Sequence, residues 1–193
     1  MAELGDYVKH AMDSLYSMGI DAALAGGLAH NLWVGSGGQF DTEDIDLAVL
    51  VIPGQEISTA QLANELARRS GEECEFWDRY RRVDRVIYKF NCFSSQKGKE
   101  SGTKLDLVLV YSDYAEEALK YAGTFEIGKD NYKILNPEDV ILYKGLARRK
   151  KDVIKIAAMA EIIKLDMNYI EQWARALGRW TYVKAALEGE FRE

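Results

Sequence analysis

Asp44-Ile45-Asp46-Leu47-Ala48-Val49-Leu50-Val51 is the stretch on which the fold turns. Ile45, Leu47, Val49 and Val51 alternate with Asp44, Asp46, Ala48 and Leu50, and a period of two makes this a strand. One face is apolar throughout, while the other is acidic only at its beginning. Residues i and i+2 of a strand share a face, so Asp44 and Asp46 project side by side. Adjacent carboxylates repel unless a cation joins them, and their hard oxygens suit Mg²⁺. A lone Asp-x-Asp is also an ordinary solvated strand end, so its meaning depends on its surroundings.

Upstream, the short apolar run Ala22-Ala25 ends in Gly26-Gly27, and Leu28-Val34 reads as a brief helix. Two glycines let the backbone approach a bulky anion, and the helix start offers unpaired N–H groups to phosphate oxygens. Gly35-Ser36-Gly37-Gly38 then forms a flexible link. Before these, residues 6–18 carry Val8, Met12, Leu15 and Tyr16 at helical spacing, closed by Gly19. His30 is expected to be packed or solvent-facing, and His10 and the four tryptophans are read as surface and packing residues.

Downstream, the capping pattern Ser58-Thr59-Ala60-Gln61 predicts a helix from Thr59 to about Arg69. Glu75-Tyr80 and Asp84-Phe93 read as strands; in the second, Val86, Tyr88, Phe90 and Cys92 lie opposite Arg85, Lys89 and Asn91. A polar loop, Ser94-Thr103, leads to the strand Lys104-Tyr111, whose only acid, Asp106, lies between Leu105 and Leu107. If this strand lies beside 44–51, the three carboxylates converge. A helix near Asp113-Tyr121 and a hairpin around Gly128-Asn131 follow. Asn136-Pro137-Glu138-Asp139 is a helix start, with an N-cap, a first-turn proline and two acids matching the dipole.

The expected organisation is an α/β core over residues 1–135, a mixed sheet flanked by helices, with a helical C-terminal part over 136–193 packed on it. The 193 residues carry a net charge of −6, which argues against non-specific coating of duplex nucleic acid, a task for clustered Lys and Arg. Local basic clusters stand at Arg79-Arg85 and Arg148-Lys151. Cys74 and Cys92 form no CxxC pair, and two buried or idle thiols are expected rather than a zinc site or a disulfide. No apolar run is long enough to span a bilayer and the N-terminus lacks signal-peptide character, so the expectation is a cytoplasmic protein with no membrane partner.

Read together, Ala25-Gly26-Gly27, Asp44-Ile45-Asp46-Leu47 and Leu105-Asp106-Leu107 resemble the signature of the DNA polymerase β superfamily of nucleotidyltransferases. Thr42 fits the Ser or Thr often found two residues before the first aspartate. The pair here is Gly-Gly, without the hydroxyl that many members direct at phosphate, and Gln39, Phe40 and Asp41 stand where toxin-like relatives often place a basic residue. The resemblance implies that Asp44, Asp46 and Asp106 bind Mg²⁺ (or Mn²⁺), with Asp106 at the acceptor side. Gly26 and Gly27 would hold triphosphate oxygens. The reaction implied is attack by an acceptor hydroxyl on the α-phosphorus of a nucleoside triphosphate, with pyrophosphate released. The acceptor stays open: a tRNA end, a protein hydroxyl or a small molecule such as an antibiotic.

The segment from Asn136 to Asp152 is similar to one in bacterial members that include abortive-infection toxin relatives. That likeness implies that Lys144 faces the nucleotide phosphates and that Arg148 supports it, and it admits an antitoxin partner. Lys144, Arg148 and Asp152 step by four, which predicts one helix presenting all three along one side. Rival readings are a nucleotide-binding regulatory module with little turnover and a partner-controlled toxin.

Overall fold

Alternation at Asp44–Leu50 is realised as the middle strand of a seven-stranded mixed sheet. The computed structural model describes residues 2–35, 44–50, 57–82, 85–93, 102–110 and 112–190. Along the chain these form α1 (Ala2–Ser17), β1 (Asp21–Leu24), α2 (Gly26–Val34), β2 (Asp44–Leu50), α3 (Thr59–Ser70), β3 (Glu73–Arg81) and β4 (Arg85–Phe93). There follow β5 (Thr103–Val110), α4 (Asp113–Lys120), β6 (Gly123–Ile127), β7 (Asp130–Ile134), α5 (Pro137–Ala147), α6 (Lys150–Ile162), α7 (Met167–Ala176) and α8 (Trp180–Leu187). Thr42, residues 36–41 and most of the 94–103 loop lie outside the described residues.

The strands run in the order β3-β4-β5-β2-β1-β7-β6. β2 pairs parallel to β5 and antiparallel to β1, and its register sets Asp46 opposite Asp106 and Asp44 opposite Lys104. Ile45 and Leu47 on β2 and Leu105 and Leu107 on β5 are buried on one face. That face is covered by α1 and α3, whose Tyr7, Ala11 and Leu66 meet Ile45 and Leu105. The opposite face carries the aspartates. Next to it lie α2 and α4, packed on β2, and then α5, packed on α2.

Local chemistry explains the helix ends. Ser58 Oγ accepts from the Gln61 N–H at 3.3 Å and Gly71 closes α3 in the left-handed region, as the capping pattern predicts. Asn136 and Pro137 open α5. Asp139 stands in the first turn as expected, but it is not a solvated acid. It is buried, and its carboxylate accepts from Tyr114 Oη at 3.1 Å and Tyr169 Oη at 2.9 Å.

Two expectations are corrected. Lys144, Arg148 and Asp152 do not share one helix: Arg148 takes a left-handed conformation, φ 54°, which ends α5, and α6 starts afresh from Arg149. That conformation costs an ordinary residue about 1–2 kcal/mol, which contacts to α8 offset. Tyr182 Oη donates to Arg149 O at 3.0 Å, and the Arg148 guanidinium lies 5.8 Å from the Tyr182 ring. Spacing by four could not reveal a break that tertiary contacts hold. Cys74 and Cys92 are likewise not idle thiols. The antiparallel β3–β4 register sets them opposite each other, 4.1 Å apart at Cα, and they form a disulfide. Eighteen residues of separation hide a pairing that the hairpin creates.

No helix of the described residues is long and apolar enough to cross a membrane.

Candidate active site

Parallel pairing of β2 with β5 brings Asp46 and Asp106 together on the face away from α1 and α3. They line an open cleft whose other walls are Gly26, Arg85, Ile87 and Val108, and, from the α5–α6 joint, Tyr143, Lys144 and Arg149. Burial raises the proton affinity of Asp46, and the negative charge of Asp106 raises it further. Asp106 is raised by the same desolvation, against the pull of Lys89, with the charge of Asp44 adding to the rise. Asp44 stands one pleat before Asp46 on the same face.

Gly26 has a structural duty that the sequence reading did not assign. Its φ is +63°, and a Cβ there would lie 1.9 Å from Asp46 Oδ2. The bare backbone lets the carboxylate seat itself against the turn, where the Gly27 N–H donates to Asp46 Oδ2 at 3.4 Å. The Ala25 N–H also donates to Asp46 O at 2.8 Å, fixing the start of α2 to β2.

The cations come from both sides. Lys89 on β4 donates to Asp106 Oδ2 at 2.7 Å. Lys144 is 2% exposed, which excludes a solvated helix face, and Asp152 Oδ1 lies 3.7 Å from its Nζ. Burial pushes its ammonium down to about 8, although Asp152 favours the charge. Arg149 holds the same buried Asp152 through Nε at 2.8 Å and Nη2 at 3.2 Å, and faces the cleft half-exposed. Arg148 points elsewhere, lining a neighbouring groove.

The structure thus brings Asp46, Asp106, Gly26 and Lys144 into one cleft, with Gly27 bonded to Asp46, and leaves Arg148 outside it. Lys89, Arg149 and Tyr143 are the residues that sequence reasoning missed. Lys89 was visible only as a polar residue on the face of β4 opposite Cys92. Arg149 lay within the basic run 148–151, and nothing local singled out Tyr143. The Tyr143 hydroxyl is buried beside the cleft without a hydrogen bond among the described residues. His30 is buried and donates through Nε2 to Lys155 O at 3.0 Å; desolvation keeps its proton affinity low, so it is a neutral packing residue.

As the side chains stand, no three His, Cys, Asp or Glu groups among the described residues are gathered closely enough to hold one ion. The donor chemistry nevertheless suits a hard divalent cation: two half-buried carboxylates in register on adjacent strands, and a third one pleat away. Lys89 supplies the positive charge at Asp106 in this arrangement.

No protein-family model matches the sequence, and no curated protein matches it. Among solved structures, the chain is similar to JHP933 from Helicobacter pylori, at 16% identity over 93% of this chain and 77% of that one, with a TM-score of 0.49. A second H. pylori structure, put forward as a nucleotidyltransferase, matches at 16% identity over 92% and 77%, with a TM-score of 0.49. The antibiotic-resistance factor ANT(2'')-Ia matches at 15% identity over 96% and 91%, with a TM-score of 0.44. At these values the likeness carries no assignment by itself, and the functional reading rests on the carboxylate cleft.

Proposed function

We propose that this chain is a nucleotidyltransferase of the DNA polymerase β type, moving a nucleoside monophosphate from a nucleoside triphosphate to an acceptor hydroxyl. The observation that supports it most is the in-register pair Asp46 and Asp106, half-buried on adjacent parallel strands in a cleft also lined by Lys144, Arg149 and Arg85. In the reaction a bond forms between the acceptor oxygen and the α-phosphorus, the bond to pyrophosphate breaks with its electron pair leaving on pyrophosphate, and the acceptor proton passes to water. Asp106, with its raised proton affinity, stands at the acceptor side. Lys144 and Arg149 face the phosphates and offset their charge, roughly 1.5–3 kcal/mol for each hydrogen bond to a charged group. Asp46 and Asp106, joined by Asp44 once Lys89 releases Asp106, would hold Mg²⁺. The ion, when bound, acidifies the attacking hydroxyl and stabilises the leaving oxygens.

A second reading has one observation behind it. With the Lys89 ammonium on Asp106, the cleft is balanced without metal, which suits a nucleotide-binding module with little turnover. Incubating the protein with each α-labelled triphosphate, Mg²⁺ or Mn²⁺, and total RNA or protein separates the two. Transfer predicts labelled acceptor, reduced at least about 100-fold in Asp46→Asn and Asp106→Asn. Triphosphate binding with no labelled acceptor under either metal would leave the binding module standing.

A further inference from the structure

Beside the carboxylate cleft, and sharing Arg85, Leu146 and Ala147 with it, runs an open groove lined by Arg82, Arg85, Arg148 and Arg179 together with Leu177. No acidic residue is among its described lining residues. In a chain of net charge −6, four guanidiniums around one groove are a local concentration of positive charge that average composition does not supply. They arrive from three places far apart in sequence: the end of β3 and start of β4, the α5–α6 joint, and the α7–α8 turn. The left-handed Arg148 that breaks the expected helix is what turns its side chain into this groove and Arg149 into the cleft.

An aromatic ring stands at the same margin. Tyr80 is opposite Ile87 in the β3–β4 register, so it shares the sheet face of a residue that lines the carboxylate cleft. Tyr80 is 37% exposed, and the Arg82 guanidinium lies 4.7 Å from its ring centroid. Trp77, 61% exposed, lies three residues before it on the same edge strand, at the irregularity in the β3–β4 register. A positively charged track with an exposed ring suits unpaired bases on a phosphodiester backbone. It is the wrong charge for a cationic small molecule. A free triphosphate is served by Lys144 and Arg149 deeper in the cleft.

We propose that the groove of Arg82, Arg85, Arg148 and Arg179 binds the backbone of a single-stranded nucleic acid, with a base stacked on Tyr80, and leads its terminal hydroxyl to Asp106. The acceptor role rests on the nucleotidyltransferase reading; the binding does not. The test is fluorescence anisotropy of a labelled 20-nucleotide single-stranded RNA, its DNA counterpart and the matching duplex, with the full chain, without metal or triphosphate. A failure of the transfer reading therefore leaves this measurement untouched.

The single strand binds more tightly than the duplex, and the RNA and DNA arms show which sugar is preferred. Arg82→Gln with Arg179→Gln weakens it at least about tenfold and lowers the slope of log affinity against log salt by about 0.7 per arginine removed. Tyr80→Ala weakens it about tenfold with the salt slope unchanged. Lys164→Gln, away from the groove, changes neither. Arg82 is exposed, so Arg82→Gln alone reports the slope if the double variant does not fold. Binding that is indifferent to Arg82→Gln and Tyr80→Ala overturns the proposal. So does a preference for duplex, or displacement of the strand by inorganic tripolyphosphate at equal concentration, which makes the groove a triphosphate seat.

Discussion

At the residue scale, the site depends on how closely backbone and carboxylate approach. Gly26 is left-handed, and any side chain there meets Asp46. Gly26→Ala therefore adds about 1–2 kcal/mol of backbone strain and also displaces the carboxylate. The expected result is a lower melting temperature and loss of nucleotide transfer together; an alanine variant with parental activity and stability would contradict the packing of Asp46 on the turn. Lys144 is the second residue whose role is testable alone. Its ammonium titrates near 8 in the free protein, so triphosphate affinity falls as pH rises from 7 to 9. The sign follows from the proton that an anion-bound lysine must keep. Lys144→Met lowers affinity at pH 7 by about 1.5–3 kcal/mol and abolishes that fall, while Lys164→Ala does neither. Titrations of both variants with a non-hydrolysable triphosphate at several pH values check it, and a slope retained in Lys144→Met would exclude Lys144 from the phosphates.

At the scale of elements, the helix start at Asn136 conceals a buried charge. Asp139 sits between α4, α5 and α7, where desolvation outweighs the hydrogen bonds from Tyr169 and Tyr114 and pushes its carboxyl up to about 6. Glu138 and Glu117 add to the rise. A folded-state value above the unfolded one of 3.8 means that the folded protein binds the extra proton. Stability from this group is present at about pH 4, declines as pH rises towards 6, and is flat above. The span corresponds to roughly 3 kcal/mol. Asp139→Asn keeps an acceptor for the tyrosines but does not titrate. Its stability relative to the parent should rise by up to that amount between pH 4 and pH 7.5, read from urea unfolding at both. A difference that does not change with pH would show that the carboxyl is solvated in the folded protein. The first-turn acids were legible as a helix start, because N-capping and proline are local. That one of them is buried was not, because Tyr114 and Tyr169 reach it from elements 25 and 30 residues away.

For the whole molecule, the same division between local and distant decides what could be read beforehand. Period two in β2 and β5 and the glycine turn made the strands and the acidic face legible, and the mixed sheet was what the family resemblance implied. The pairing of Asp46 with Asp106 is a matter of register, which only the assembled sheet specifies. Lys89 reaches Asp106 from a third strand, Arg149 enters the cleft because Arg148 breaks a helix, and Cys74 meets Cys92 across a hairpin. All three are products of tertiary pairing. The cleft itself joins two parts of the chain: its floor is sheet from before residue 110, and its roof is the α5–α6 joint. A ligand held by both therefore ties the C-terminal helices to the sheet. Mg²⁺ with a non-hydrolysable triphosphate at 100 times its dissociation constant should stabilise the parent by about 2.7 kcal/mol. Amide exchange should slow in both β5 and α5. Removing Asp46 relieves a desolvated carboxylate with a carboxylate neighbour, whereas removing Asp106 strips Lys89 of its partner. Without ligand, Asp46→Asn should thus melt above Asp106→Asn, and with ligand both should gain much less than the parent. Equal gains in all three proteins, or protection confined to β5 with α5 unchanged, would mean that the carboxylates and the helices do not share one ligand.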